Sequence, residues 1–289
     1  MMKSKALRHF TGEVIGTFLM CFLGIGACCT ATLFGALTGA GQVGLVWGIA
    51  IALGIYLTRN LSDAHFNPAV TFAMCLAGKN SWKDFPVYLA GQCVGALLAC
   101  AGLWLMFADS IMKNLENAGL TMASNSIGSA ASIFVEIYPN TTNGSITWQG
   151  AMFAEGIGVF ILVLVIFSVT ARENPGRPSS LIAPLFIGLT ITVLINVVGP
   201  LTNAGFNPAR DLMPRVWACI VGWGPIAFGS KTFETIMVYT VGPLLGAAVA
   251  ALFYKYVIGK MHEASCEQAG SEPVALSSTA LLQADEQTV

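Results

Sequence analysis

The tripeptide Asn67-Pro68-Ala69 sits in an apolar stretch and recurs as Asn207-Pro208-Ala209 in the second half of the chain. Each copy trails a carboxylate set inside an earlier hydrophobic stretch: Glu13 lies 54 residues before Asn67, and Glu155 lies 52 before Asn207. Polar and ionisable groups in such surroundings are costly to bury, so a duplicated set points to one site shared by two halves. Asn-Pro suits a helix start. The Asn oxygen caps orphan N–H groups, and Pro at the first helical position gives up no hydrogen bond. Two short helices starting where the halves meet would aim their positive ends at one point. Capping uses the Asn oxygen and leaves the amide N–H₂ of Asn67 and Asn207 free to donate into a lumen. That chemistry orients a neutral polar solute; it does not make or break bonds.

Arg210 directly follows the second tripeptide. An interfacial Arg can snorkel to lipid headgroups, but a position just after a pore-centred cap turns the guanidinium to the lumen. There it would donate to neutral solutes and repel cations, hydronium included. Glu13 and Glu155 leave two readings open: proton carriers, or acceptors that tether the backbone of irregular loops. Their matched spacing favours tethers. The segments Asp63-Ala64-His65-Phe66 and Asn203-Ala204-Gly205-Phe206 are expected to be extended. The carbonyls of Ala64, His65, Phe66, Asn203, Gly205 and Phe206 would then form a ladder of acceptors along the lumen. His65 has no cluster suited to a metal and reads as a loop-bracing donor. The sequence offers no nucleophile–base pair and no phosphate-cradling Gly motif, so the expectation is no enzyme, no cofactor and no metal.

The elements that must position these residues are membrane helices. Of 289 residues, 55% are apolar and 10% charged, with a mean hydropathy of +0.71; soluble domains carry about 25% charged residues. A net charge of −1 leaves no basic field for nucleic acid. Of eight cysteines, seven fall in or beside apolar segments and read as unpaired packing residues. Six stretches, near 10–33, 43–61, 82–107, 149–171, 180–200 and 234–259, are long enough to cross a bilayer core about 30 Å thick. Two shorter pieces, about 67–78 and 207–218, read as half-helices of re-entrant loops.

Lys3, Lys5, Arg8, Arg59, Lys79, Lys83, Arg172, Arg177, Lys255 and Lys260 would share one face, which places both termini in the cytoplasm. The other face would carry Lys113, Lys231, Arg210 and Arg215. Three spans per half invert the second half, so the half-helices enter from opposite sides. Asn140-Thr141-Thr142 and Asn143-Gly144-Ser145 match the weak glycosylation pattern. The channel domain would occupy 1–262, with repeats at about 8–108 and 148–260; the polar composition of 263–289 predicts a disordered cytoplasmic tail.

With these residues in place, the chain resembles the major intrinsic protein family, and within it the aquaglyceroporin branch. The resemblance covers roughly residues 8–260. It rests on Ala64-His65-Phe66-Asn67-Pro68-Ala69-Val70, on Gly199-Pro200-Leu201-Thr202 and on Asn207-Pro208-Ala209-Arg210-Asp211, together with the two membrane Glu residues. The branch is marked by Asp211, Arg215, Tyr138 with Pro139, and Pro243-Leu244. The resemblance implies an all-α, aquaporin-like bundle of six helices plus two half-helices, one pore per subunit, and a homotetramer in the lipid bilayer of the plasma or bacterial inner membrane. It also maps the family's four-residue constriction onto Trp47, Ile195, Ala204 and Arg210. Trp47 and Arg210 match glycerol facilitators. Ile195 and Ala204 depart, since typical facilitators carry Gly and an aromatic there.

The resulting reading is a passive channel for glycerol and similar small uncharged solutes, with some water. Its alternatives are a coupled secondary transporter, or a water-selective or metalloid-permeable channel of the same fold.

Overall fold

A computed structural model describes residues 4–122, 133–139, 145–229 and 231–268. Six helices are long and apolar enough to cross a membrane: α1 (Lys5–Phe34), α2 (Gly39–Thr58), α4 (Phe85–Asn117), α5 (Trp148–Thr170), α6 (Ala183–Thr202) and a sixth span, Thr232–Ser265. Between them lie two short helices, α3 (Pro68–Leu76) and α7 (Pro208–Ala218). At 1.5 Å per residue these reach only about 14 and 17 Å, roughly half of a hydrocarbon core. No strand is present among the described residues. Large apolar side chains such as Leu105, Phe153, Val197 and Ile220 stand exposed on the outer faces. In water that surface would be a liability, whereas in lipid it is the expected exterior. The chain is an integral multi-pass membrane protein.

The halves are built alike and interlock. In the first, α1 packs on α2 and α4; in the second, α5 packs on α6 and the last span. The short helices cross over: α3 packs mainly against the last span, and α7 packs against α4. Small residues set the closest approaches. A Cβ on Gly246 would collide with the backbone of Gly156, just as one on Gly188 would collide with Gly48. Helices in lipid gain from such close packing because no hydrophobic drive separates tail from side chain.

Helices α1 and α2 begin at Lys5 and Gly39, four or five residues ahead of the hydropathy reading, and other differences lie further along the chain. Helix α4 continues to Asn117 instead of ending near 107, because polar Asp109, Lys113 and Glu116 extend a helix beyond the apolar stretch that hydropathy detects. The last span carries wide π turns at Met237–Val241 and Tyr254–Ile258. A final helix, Gly259–Gln268, runs past residue 263, where the polar tail begins. Residues 269–289 and the acceptor positions Asn140 and Asn143 lie outside the described residues. Cys21, Cys28, Cys29, Cys75, Cys93, Cys100 and Cys219 are all free thiols.

Candidate functional site

The two Asn residues cap the short helices. Asn67 Oδ1 accepts from the Ala69 N–H at 2.9 Å, and Asn207 Oδ1 accepts from Ala209 and Arg210 N–H at 3.1 Å each. Pro68 and Pro208 occupy the first helical positions, and with Ala69 and Ala209 they are buried behind the caps. The amides are not wholly free, as the sequence reading had them. Asn67 Nδ2 donates to the Phe206 carbonyl at 2.8 Å, and Asn207 Nδ2 donates to the Phe66 carbonyl at 2.7 Å. Each amide keeps one further hydrogen for the lumen. The reach across to the other half is a tertiary relation that local spacing does not encode.

Glu13 and Glu155 gather the loops that precede each cap. Glu13 accepts from the backbone N–H of His65 at 3.0 Å and Phe66 at 2.8 Å, from Ser62 Oγ at 2.7 Å and from Gln92 Nε2 at 2.8 Å. Glu155 accepts from Gly205 N–H at 3.0 Å, Phe206 N–H at 2.6 Å and Thr202 Oγ1 at 2.5 Å. The third N–H of each loop goes to a hydroxyl: Ala64 to Ser62 and Ala204 to Thr202. His65 Nδ1 lies 3.2 Å from Thr71 Oγ1.

These loops are not extended. Ala64, Phe66, Asn203, Ala204 and Phe206 all have positive φ, between 51° and 63°. A uniformly extended strand would send alternate carbonyls to opposite sides; left-handed residues between others turn them toward one side while the N–H groups face the carboxylates. The conformation costs about 1 kcal/mol or more per non-Gly residue, and the bonds to Glu13 and Glu155 hold it. Each Phe ring then lies on a helix where only Gly leaves room: Phe66 over Gly16 and Phe206 over Gly158, each Gly three residues after its Glu.

One cavity of about 790 Å³ runs past all of this. At one end it meets Arg59, Arg172, Arg177 and Ser180. It then passes Ala64, His65, Phe66 and Asn67, and beyond them Asn203, Gly205, Phe206 and Asn207. At the other end Trp47, Ile195, Ala204 and Arg210 line it together. Glu13 and Glu155 stay behind its wall, fully buried. The Arg210 guanidinium carbon lies 4.6 Å from the Trp47 ring centroid, a cation–π contact. Among the described residues no group of His, Cys, Asp and Glu has the arrangement to hold a metal.

Sequence reasoning missed Glu136, which also lines the cavity. Its carboxylate forms an ion pair with Arg210 Nη2, both side chains buried, without the alignment of a good hydrogen bond. Burial pushes the Glu136 carboxyl above the usual carboxylate range and Asp211 adds to this, while Arg210 and Arg215 oppose it. Asp211 and Arg215 form their own buried pair at 2.7 Å. Arg215 Nη2 also donates to the Glu136 carbonyl at 2.6 Å and its Nη1 to the Ala227 carbonyl at 2.7 Å. The only sequence cue for Glu136 is a lone acid within the apolar run Ile133-Phe134-Val135-Glu136-Ile137.

A family model described as major intrinsic protein matches residues 1–254. The chain is 32% identical over 262 residues to the glycerol uptake facilitator protein of Pseudomonas aeruginosa, covering 90% of this chain and 92% of that protein. It is 36% identical over 255 residues to a propanediol uptake facilitator of Citrobacter freundii, covering 86% and 91%. The X-ray structure of the aquaglyceroporin from Plasmodium falciparum superposes with a TM-score of 0.77 at 28% identity, covering 90% of this chain and 99% of that one.

Proposed function

The chain belongs to the major intrinsic protein family, and from that membership we propose that it is a passive channel for glycerol and similar small uncharged solutes, with some water. The observation that carries this reading is the single cavity that passes both Asn caps and the Trp47–Arg210 contact. In this reading α3 and α7 re-enter the membrane from opposite faces, and their positive ends meet at the Asn pair. Trp47 and Ile195 form the apolar wall of the constriction, Ala204 widens it, and Arg210 donates to hydroxyls. Asn67 and Asn207 donate at the midplane, and the loop carbonyls accept in series. Weak sites in series let a solute leave as readily as it enters. The similarity to glycerol and propanediol uptake facilitators supports small polyols as the cargo.

The protein acts as a homotetramer in the plasma or bacterial inner membrane, with both termini in the cytoplasm. No bond-making chemistry is assigned to it. Against a coupled transporter, Glu13 and Glu155 sit outside the cavity with their oxygens engaged by loop donors. Stopped-flow light scattering of proteoliposomes tests the reading. Glycerol and water permeability should rise above that of empty vesicles and should not depend on a proton or sodium gradient. Flux that requires either gradient would establish the transporter instead.

A further inference from the structure

The end of the cavity away from the constriction carries charge that a neutral solute does not need. Arg59, Arg172 and Arg177 line it, together with Asp63 and Ser180. Cations on this side suit the orientation of the bundle, but Lys5 and Lys79 there have carboxylate partners, Asp84 at 2.9 Å and Glu173 at 3.5 Å. Glu173 adjoins Arg172 in sequence and pairs with Lys79. Among the described residues, none of the three arginines at this mouth has a carboxylate in ion-pair reach. Asp63, the acid in the same lining, accepts from the Tyr88 hydroxyl at 2.9 Å.

The rim is pinned from both sides. Arg59 Nη1 donates to the Ser180 carbonyl at 2.9 Å and the Tyr56 hydroxyl donates to the Leu181 carbonyl, so the end of α2 holds the connection between α5 and α6. Within that connection Asn174 accepts from the Gly176 N–H at 3.0 Å and donates to the Ser168 carbonyl at 2.8 Å, which fixes the bend between Arg172 and Arg177. Guanidiniums present N–H forks and no acceptor. Such forks match the paired oxygens of a phosphate, and a dianion is the charge that three cations against one acid favour.

We propose that this rim is a binding site for a dianionic phosphate group, and that its occupant obstructs the conduit. The group is either free, as inorganic phosphate or a phosphorylated small solute, or carried by an anionic lipid headgroup. The same cavity continues past both Asn caps, so an anion held at the rim stands in the path of every solute. The proposal rests on the channel reading above. In the orientation given there the rim faces the cytoplasm, and a solute that is phosphorylated after entry would slow further entry.

Wild type, Arg177→Gln and the double variant R172Q/R177Q are reconstituted in phosphatidylcholine vesicles. Glycerol permeability is read by stopped flow at neutral pH with inorganic phosphate on both sides, against chloride at equal ionic strength. Phosphate should lower wild-type permeability saturably, R177Q should need roughly 10-fold more phosphate for the same block, and the double variant should lose the block. A second set of vesicles in chloride carries phosphatidic acid in part of the bilayer. Slowing by inorganic phosphate assigns a free ligand; slowing by phosphatidic acid alone, lost in the double variant, assigns a lipid headgroup. Wild-type permeability indifferent to both would overturn the proposal, as would a block that both variants keep in full. Arg177 is exposed, so if the double variant does not fold, R177Q carries the test. A wild type no faster than empty vesicles for glycerol and water would fail the channel reading itself; a phosphate-dependent rise in melting temperature in detergent, lost in R177Q, would still report the site.

Discussion

Replacing Glu155 by alanine removes the acceptor of two backbone N–H groups, Gly205 and Phe206, that have no other partner among the described residues. The Thr202 hydroxyl also loses its acceptor, but a helical Thr can turn to a carbonyl of the preceding turn. Each buried unpaired N–H costs about 1–3 kcal/mol, so Glu155→Ala should lose roughly 2–6 kcal/mol. Glutamine keeps one oxygen in place. It can serve Gly205 or Phe206 but presents a donor to the other, so its cost should be about half, roughly 1–3 kcal/mol. Glu13→Ala should match Glu155→Ala, since it too strips two backbone N–H groups, those of His65 and Phe66. Of its two side-chain donors, Gln92 Nε2 keeps Thr71 Oγ1 at 3.0 Å, while the Ser62 hydroxyl loses its acceptor as Thr202 does in Glu155→Ala. Set against a net stability of about 5–15 kcal/mol, the Ala variants should lose most of their folded yield and the Gln variants should retain flux. Thermal denaturation in detergent followed by size-exclusion chromatography ranks the variants, with stopped-flow permeability on whatever remains folded. Equal stability of Gln and Ala would refute the tethering argument. Complete loss of transport in both, with folding intact, would make the carboxylates proton carriers.

Three further outcomes follow from the same geometry. Ala204→Phe should narrow the constriction against Ile195 and cut glycerol flux more than water flux, whereas Ile195→Gly with Ala204→Phe should sharpen preference for glycerol over urea. Shifts within about 10- to 200-fold are expected, and an unchanged glycerol-to-water ratio in both would remove these positions from the constriction. Lowering pH from neutral into the mildly acidic range should protonate Glu136, whose carboxyl is raised by burial and by Asp211 against the pull of Arg210 and Arg215; the glycerol-to-water ratio of the wild type should then drift toward that of Glu136→Gln, whose own ratio should not change with pH, and a pH response shared by both would refute the assignment to Glu136. Asn207→Ala uncaps two N–H groups and Asn67→Ala one, so at about 1 kcal/mol per lost cap the Asn207 variant should melt lower in the same detergent assay; the reverse order would contradict the capping geometry.

Much of this architecture is legible in the residues because lipid allows few solutions. Hydropathy locates the six spans, and Asn-Pro locates the starts of α3 and α7 within a residue, since a cap followed by Pro at the first helical position has a fixed geometry. What sequence did not convey depends on partners far along the chain. The left-handed Ala64, Phe66, Ala204 and Phe206 carry no Gly or Asn signature; their conformation is imposed by carboxylates some fifty residues away. Asn203 is the exception whose type does tolerate that region. The π turns of the last span leave the apolar composition unchanged, so no periodicity reveals them. Glu136 belongs to neither repeat and is joined to Arg210 only when the connection between α4 and α5 folds onto α7.

The crossed contacts between halves also set an order of events at synthesis. A ribosome delivers α1 to α4 before α7 exists. Until then the Phe66 carbonyl lacks the Asn207 amide, the Asn67 amide lacks the Phe206 carbonyl, and α4 lacks the short helix that packs against it. The first half therefore enters the bilayer with its polar loop incomplete, and its conduit is closed off only when the later half inserts. The pore is thus complete only as the last act of biogenesis, once Asn207 and α7 supply the partners that the first half awaits.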